Sequence, residues 1–305
     1  MSDRIDLPLV VDLDADGPER PARVGKPPRR FDVLRTTLFG TGLGRWGTGI
    51  VAVVTLFCFV GPLIYKTEQV RTNINEILGH PNAHHLLGSD GNGYDELGRL
   101  MLGGQSALEI GFVAALLATV VGTVYGGIAG YFGGLVDGVM MRLIDTLLAV
   151  PSLLLLLVLF SIIRPNFDSL VLVLGLFAWL VPARLIRGES LTLRTREFVL
   201  AARLQGAGNI RIVLRHLLPN ALGTIVVNTT FQIADAILTL AILGFLGFGV
   251  APPATNWGTM LNDGVDYAAA GSWWLLYPAG ILIVLTVVAF NFIGEGLEET
   301  LGART

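Results

Sequence analysis

Long apolar runs, each about 20 residues in length, constrain this chain more than any other feature. A helix needs about 20 residues to cross the hydrocarbon core of a bilayer. Only 15% of the residues are charged and 52% are hydrophobic, whereas soluble domains carry about 25% charged residues. The pattern predicts an all-α, polytopic membrane bundle with six transmembrane helices. The predicted spans are residues 46–65, 106–130, 138–163, 170–187, 221–249 and 274–294.

Proline and glycine mark special positions within these spans. Pro151 interrupts the third span and Pro182 the fourth, and a kink is expected at each because proline lacks an N–H and its ring clashes with the preceding turn. The second span carries Gly122, Gly126 and Gly130 on one face. Small residues at this spacing let helices approach closely in lipid, so this face is predicted to pack tightly on a helix of the same subunit or of a partner.

Lysine and arginine are unevenly distributed between the two sets of loops. Most lie in the leader and in residues 184–219, whereas the opposite loops hold Lys66, Arg71, Arg99 and Arg164. Loops rich in these residues remain in the cytoplasm. Both termini and residues 184–219 are therefore expected on the cytoplasmic side.

Composition also divides the chain into three parts. Residues 1–30 are rich in Asp, Pro and Arg without apolar periodicity, and are predicted to be a disordered cytoplasmic tail. Residues 31–105 hold the first span and an external loop, and residues 106–302 form the core. Cys58 is the only cysteine, which excludes a disulfide within the chain.

A basic segment at residues 197–219 lies between two of the apolar spans. Good helix formers fill 197–205, and Gly206 to Gly208 then favour a left-handed turn. Asn209 is a candidate N-cap for a second helix, which Pro219 is expected to end.

The second helix of this segment is predicted to be amphipathic. Arg211 and Arg215, four residues apart, share one face. An amphipathic basic helix of this kind either lies on anionic lipid headgroups or docks into a groove of a cytoplasmic protein. A separate apolar stripe is formed by Ile210, Val213, Leu214 and Leu217.

These residues resemble a known family. "AARLQGAGNIRIVLRHLLPN" resembles the EAA loop of permease subunits of binding-protein-dependent ABC importers, which reads E-A-A, three residues, Gly, nine residues and then I-x-L-P. Ala201, Ala202, Gly206 and Pro219 match at the family spacing, and His216 resembles the oligopeptide branch.

Other stretches are similar to the same branch. They are "HLLGSDGNGYDELGRLMLGGQSALEIG", "DGVMMRLIDTLLAVPSLLL", "FLGFGVAPPATNWGTML" and "PAGILIVLTVVAFNFIGEGL", and the resemblance runs from about residue 30 to 302. The chain departs from the family pattern at Leu200 and Leu240, where Glu is usual, and at Glu298, where Arg is usual. Glu197, one turn before Leu200, is the alternative anchor.

The resemblance implies a C-type transmembrane permease subunit of a dipeptide or oligopeptide (peptide/nickel class) ABC importer, with a type I fold in the bacterial inner membrane. It implies a paralogous permease partner, two cytoplasmic ATPase subunits that hold ATP and Mg, and an extracytoplasmic substrate-binding protein, with no nucleic acid. No catalytic residue, cofactor or metal is expected in this chain. The expected ATPase-coupling residues are Glu197, Ala201, Ala202, Arg203, Gly206, Arg211, Arg215, His216 and Pro219.

Polar residues inside the spans are costly and therefore informative. Asp235, near the middle of the fifth span beside Asn228 and Gln232, either lines a translocation path or makes an interhelical hydrogen bond. Arg142 and Asp145, three residues apart, are predicted to form a local salt bridge.

Histidine and tryptophan residues lie near the ends of the spans. His80, His84 and His85 are predicted to be ordinary loop residues rather than metal ligands, because no cysteine or carboxylate lies at ligand spacing. Trp257, Trp273 and Trp274 are interpreted as interfacial residues.

Three other functions are alternatives. The first is a nickel or glutathione importer permease of the same family. The second is an ion-gradient-driven secondary transporter, which would favour paired midplane carboxylates and an internal repeat. The third is a membrane scaffold whose basic helices bind lipid. The nearest candidate for a Walker A loop, residues 17–27, has the wrong spacing and no Ser or Thr after its Lys, so energy from ATP would have to come from another polypeptide.

Overall fold

The computed structural model describes residues 40–66 and 72–302. The tail predicted for residues 1–30 lies outside the described residues. Regular structure in the described part is helical, apart from an isolated bridge between Ser89 and Asp95. The α-helices are α1 Gly42–Phe59, α2 Gly61–Ile64, α3 Glu96–Phe132, α4 Gly134–Leu148, α5 Ser152–Ile162, α6 Phe167–Ala178, α7 Leu180–Leu193, α8 Glu197–Leu204, α9 Asn209–Ile212, α10 Leu218–Leu243, α11 Trp257–Ala268 and α12 Tyr277–Gly302.

Membrane-spanning length is reached by five helical stretches in the described part of the chain, or six when α4 and α5 count as one span. The predicted all-α bundle with six spans is confirmed at the upper count. The five stretches are Gly42–Ile64, Glu96–Phe132, Phe167–Leu193, Asn209–Phe248 and Trp273–Leu301.

The third predicted span is sharply bent at its proline. α4 and α5 meet at an angle of 74°, and Pro151 is the N-cap of α5. The kink expected at Pro151 is confirmed, because a residue without an N–H cannot continue the hydrogen-bond ladder of α4.

The break in the fourth span precedes its proline. α6 ends at Ala178, Trp179 lies between the helices, and Pro182 stands in the first turn of α7. The interruption lies at Trp179, three residues before Pro182, because proline fits the first turn of a helix without loss of a hydrogen bond; the kink expected at Pro182 stays a prediction. The Ala178 carbonyl, four residues before Pro182, instead accepts a hydrogen bond from Gln232 Nε2 at 2.7 Å.

The glycine ladder of α3 packs against α7 of the same subunit. A β-carbon added at Gly122 would lie 2.7 Å from Cβ of Pro182, and one at Gly130 would lie 2.6 Å from the Arg187 carbonyl oxygen. A β-carbon at Gly126 would overlap the Ala183 carbonyl oxygen. The predicted close helix approach is confirmed and lies within the chain.

Two tryptophans are buried in the core rather than placed at the membrane interface. Trp257 and Trp274 are each 1% exposed. Trp257 Nε1 donates to the Leu100 carbonyl at 2.9 Å, and Trp274 Nε1 donates to the Ser89 carbonyl at 3.3 Å. The interfacial interpretation is therefore wrong for both, because each indole N–H has a partner inside the protein. Trp273 is half exposed.

The loop before α3 is held by a hydrogen-bonded network around His85. Its Nδ1 lies 2.8 Å from Asp95 Oδ1 and its Nε2 lies 3.0 Å from Glu76 Oε2. Tyr65 donates to the same Asp95 oxygen at 2.9 Å. Burial lowers the pKa of His85, but the hydrogen bonds and charges of Asp95 and Glu76 outweigh this, so the net shift is upward from 6.5.

This network predicts a stability contribution that depends on pH. Because the pKa of His85 is raised in the folded state, the contribution is fully present below about pH 6.5 and is lost as the pH rises through the folded-state pKa. The melting temperature of the wild-type chain should therefore exceed that of His85→Gln most at low pH. His84→Gln is the matched control, because His84 is exposed and is held through its backbone N–H by Asn82. A wild-type advantage that does not change between pH 5.5 and 8.5 would contradict the prediction.

Candidate functional site

Residues 197–217 form two helical segments joined by a tight turn. The Gly206 N–H donates to the Arg203 carbonyl at 2.9 Å, and the Ala207 N–H donates to the Ala202 carbonyl at 3.0 Å. Gly206 has φ +77°, a conformation that glycine adopts without steric cost. The predicted break is confirmed, and Gly206 makes it.

The second segment has a different N-cap from the predicted one. Gly208 is the cap, and Asn209 is the first helical residue. Asn209 Oδ1 accepts a hydrogen bond from the Tyr131 hydroxyl at 2.7 Å. The side chain thus ties this segment to the end of α3 instead of capping its own helix.

The helix does not end at Pro219, contrary to the prediction. Val213–Leu217 form a π-helical turn, in which the Leu218 N–H donates to the Val213 carbonyl, five residues back. Pro219 follows in the first turn of α10, where its missing N–H has little consequence. The segment therefore continues directly into a membrane span.

The wide turn also changes which side chains face the protein. Ile212 and Leu217 are buried, whereas Ile210 and Leu214 are 76% and 61% exposed. The stripe predicted from 3.6-residue periodicity is confirmed for Val213 and Leu217, which pack in the buried cluster, and is wrong for Ile210 and Leu214, which are exposed.

α8 and the segment after it line a groove of about 420 Å³. Arg211 and Arg215 lie in its wall together with His216, as their spacing predicts. The groove therefore combines positive charge with an apolar floor. Its lining consists of Phe198, Ala201, Ala202, Gln205, Ala207, Arg211, Arg215 and His216.

Arg203 belongs to a second pocket, of about 400 Å³. Its guanidinium lies 5.3 Å from the centre of the Tyr131 ring, which allows a cation–π contact. Arg194 lines the same pocket, and its Nη1 donates to the Gly130 carbonyl at 3.3 Å. Leu200, where the family pattern has Glu, also lines it, so two arginines share a pocket in which no described residue supplies a carboxylate. Glu197 is exposed and lines neither the groove nor this pocket.

Large apolar side chains stand beside these arginines. Leu204 is 90% exposed, and Ile210, Leu214, Leu200 and Phe198 are exposed as well. We call the exposed side chains of residues 194–216 the α8 surface. Large exposed apolar patches are typical of surfaces that bind a protein or a membrane.

The α8 surface is firmly attached to the bundle. Val199, Ala202 and Leu217 are buried in one apolar cluster with Tyr131 of α3 and Leu193 of α7. Because close-packed side chains transmit displacement, a force on α8 acts on α3, α7 and α10 together.

The polar residues of the fifth span are separated by the structure. Gln232 is buried and bonds the Ala178 carbonyl, which is an interhelical hydrogen bond. Asp235 is exposed on α10. The Oδ1 atom of Asn228 is buried without a hydrogen-bond partner among the described residues.

The salt bridge predicted between Arg142 and Asp145 is wrong. Asp145 Oδ1 instead accepts from Arg184 Nη2 of α7 at 2.5 Å. A neighbouring pair, Arg187 and Asp137, joins α7 to α4 with an Nε to Oδ1 distance of 2.5 Å. Spacing along one helix could not reveal these partners, because they come from a helix about 40 to 50 residues away in sequence.

Residues 122–305 match the family described as the binding-protein-dependent transport system inner membrane component. This match includes the α8 surface and more than half of the chain. The chain belongs to this family.

Curated permease proteins match about 85% of the chain. The dipeptide transport system permease protein DppC of Bacillus subtilis (strain 168) is 36% identical over 258 residues, which are 85% of this chain and 81% of the relative. The oligopeptide transport system permease protein OppC of Escherichia coli (strain K12) is 38% identical over 257 residues, 84% of this chain and 85% of the relative. OppC of Bacillus subtilis (strain 168) is 35% identical over 258 residues, 85% of this chain and 84% of the relative.

The sequence did not reveal several residues that line or support the α8 surface. Tyr131 holds Asn209 and stacks under Arg203, but it lies about 70 residues away on α3. Arg194, Phe198 and Gln205 line the two pockets. Their position just before and within the EAA-like loop was the one available signal.

Proposed function

We propose that this chain is the transmembrane permease subunit of an ATP-driven, binding-protein-dependent importer that moves peptides into the cell. The α8 surface carries the proposal, because it offers a basic groove and exposed leucines on a helix fixed to three spans. The names of the relatives, dipeptide and oligopeptide transport permeases, support peptides as the cargo.

Two cytoplasmic ATPase subunits supply the energy, and they hold the ATP and Mg while this chain binds no cofactor. One of them covers the α8 surface, where Arg211 and Arg215 meet acidic groups and Leu204 enters an apolar site. When the ATPases close on ATP, α8 moves as a rigid body and carries α3, α7 and α10 with it. The excess of Lys and Arg in residues 184–219 supports a cytoplasmic position for this surface and both termini.

The second pocket adds two arginines to the α8 surface. The family pattern has Glu at the position of Leu200, so no residue in the described part of the chain offers Arg194 and Arg203 a carboxylate in their pocket. We expect the ATPase to supply it. Glu197, one turn before Leu200 on α8, stays the alternative anchor for the contact with the ATPase.

A paralogous permease subunit completes the translocation path. Asp235 is exposed on an apolar span, and a carboxylate facing lipid costs about 2.5–3.5 kcal/mol on insertion scales. A second permease beside α10 would replace lipid with a polar path along Asn228 and Asp235. An extracytoplasmic binding protein delivers the peptide to the opposite face, and residues 106–302 form the core that opens and closes.

Reconstitution into liposomes tests the proposal. The chain, together with the permease, ATPases and binding protein that co-purify with it, should take up labelled trialanine only when ATP is on the side of the α8 surface. The chain alone should not transport. Uptake by the chain alone under a proton gradient would instead establish a secondary transporter and overturn the proposal.

A further inference from the structure

A polar pocket lies at the end of the bundle opposite the α8 surface. Glu96 and Arg99, at the start of α3, line it. Tyr131, which contacts Asn209 and Arg203 beside the α8 surface, is at the other end of that helix. A helix of 37 residues is about 55 Å long. The pocket is therefore remote from the coupling site.

Carboxylates dominate the lining of this pocket. Asp90, Glu96, Asp263 and Asp266 face it, and Arg99 is the single cation among the lining residues that the structure describes. The remaining residues are Gly91, Asn92, Met260, Asn262, Gly264, Tyr267 and Leu275. Among the described residues, four acidic side chains against one guanidinium make the lining predominantly acidic.

Arg99 is already engaged away from Glu96. Its Nη1 donates to the Pro253 carbonyl at 3.0 Å, and its guanidinium lies 4.9 Å from the centre of the Tyr94 ring. Its Nε is 3.9 Å from Asp90 Oδ2. Asp90 is itself held by the backbone N–H groups of Asn92 and Tyr94.

Glu96 is the unusual member of the set. It is 3% exposed, and within residues 40–66 and 72–302 its carboxylate has no hydrogen bond and no cation within 4 Å. The cap of α3 does not explain it, because Asp95 Oδ2 accepts the Gly98 N–H at that helix end. A buried carboxylate without a partner is unfavourable, and a cation in the cavity would relieve that cost by pairing with Glu96.

The size and shape of the pocket limit what this cation can be. The cavity is about 250 Å³, smaller than the roughly 300–1,000 Å³ typical of pockets for drug-sized ligands. It therefore fits one terminal group rather than a whole peptide. Among the described residues, no three His, Cys, Asp or Glu side chains are placed to hold a metal ion, which favours an organic cation that Glu96, Asp263 and the Tyr267 ring can surround.

We propose that this pocket binds a primary ammonium group, with Glu96 as its principal counter-charge. Such a group is presented by the amino terminus of a peptide and by a lysine side chain. The site is independent of ATP coupling, and its binding can be measured on the chain alone.

The test uses the full chain in phosphatidylcholine nanodiscs and isothermal titration calorimetry. L-alaninamide presents an α-ammonium group, Nα-acetyl-lysine amide presents an ε-ammonium group, and N-acetyl-alaninamide is the uncharged reference. At least one of the two ammonium probes should bind, and Glu96→Gln should weaken it about tenfold or more, as expected when a buried charge pair loses one member. Binding of the α-ammonium probe alone assigns the site to peptide amino termini, and binding of the ε-ammonium probe alone assigns it to lysine side chains.

Asp168→Asn is the matched control and should leave binding unchanged. Asp168 is an exposed carboxylate in the first turn of α6 and lies outside the pocket. If Glu96→Gln does not fold, Asp263→Asn, at an exposed position of the lining, should weaken the bound probe several-fold. The proposal is overturned if neither ammonium probe binds more tightly than the uncharged reference, or if the folded pocket variant binds as well as the wild type. None of these results depends on transport, so they leave the proposed importer function to its own test.

Discussion

Gly126→Val should abolish recovery of folded protein. The β-carbon would overlap the Ala183 carbonyl oxygen and lie 2.9 Å from the Arg187 nitrogen, both backbone atoms that a rotamer change cannot move. Overpacking of a core typically costs about 1–3 kcal/mol, and here the whole contact between α3 and α7 must separate. The measurement is the yield of monodisperse protein after size-exclusion chromatography in detergent, followed by its melting temperature.

Gly138→Val is the matched control for this substitution. Gly138 lies in α4, and a β-carbon there meets no atom within 4 Å. This variant should be recovered at the wild-type yield. A Gly126→Val protein that is monodisperse and melts like the wild type would show that α3 and α7 are not packed as described.

The sequence was sufficient for features that depend on local chemistry. Apolar runs predicted the spans, Pro151 predicted the bend between α4 and α5, and the glycine ladder predicted the close approach of α3. Gly206 was recognised because a left-handed turn has few other solutions. These features follow from residues that are neighbours along the chain.

Features that depend on distant partners could not be predicted in this way. The salt bridge predicted between Arg142 and Asp145 was wrong because Asp145 pairs with Arg184 of α7 instead. The apolar stripe was only half right, because periodicity assumes a uniform helix and a π turn follows Ile212. The burial of Trp257 could not be predicted, because its N–H donates to the carbonyl of Leu100, which is distant in sequence.

Gly206→Val should disconnect the α8 surface from its partner. Valine at φ +77° is strained, at a cost of about 1–3 kcal/mol, so the turn must open and the groove between α8 and Arg211 must deform. ATP-driven uptake by the reconstituted complex should fall about tenfold or more, since each 1.4 kcal/mol corresponds to a factor of ten. The bundle itself should still fold, because a β-carbon at Gly206 meets nothing within 4 Å.

Gly208→Val is the control that separates backbone strain at residue 206 from the added volume of a valine side chain. Gly208 has φ −67°, and a β-carbon there also meets nothing within 4 Å, so valine is accommodated two residues from the same turn. Transport by this variant should stay close to that of the wild type. Equal loss in both variants would mean that the left-handed turn has no special role.

The most direct test of the coupling account is a crosslink from Leu204, whose side chain is 90% exposed on the α8 surface. Leu204→Cys can be labelled with a maleimide benzophenone in native membranes, because the natural Cys58 is 0% exposed; Ile64→Cys, 81% exposed in α2 near the other face, is the control. Mass spectrometry of the photoproducts should identify an ATPase subunit joined to residue 204 and none joined to residue 64. Adducts of residue 204 with phospholipid alone would contradict the account and would make α8 a membrane-surface helix.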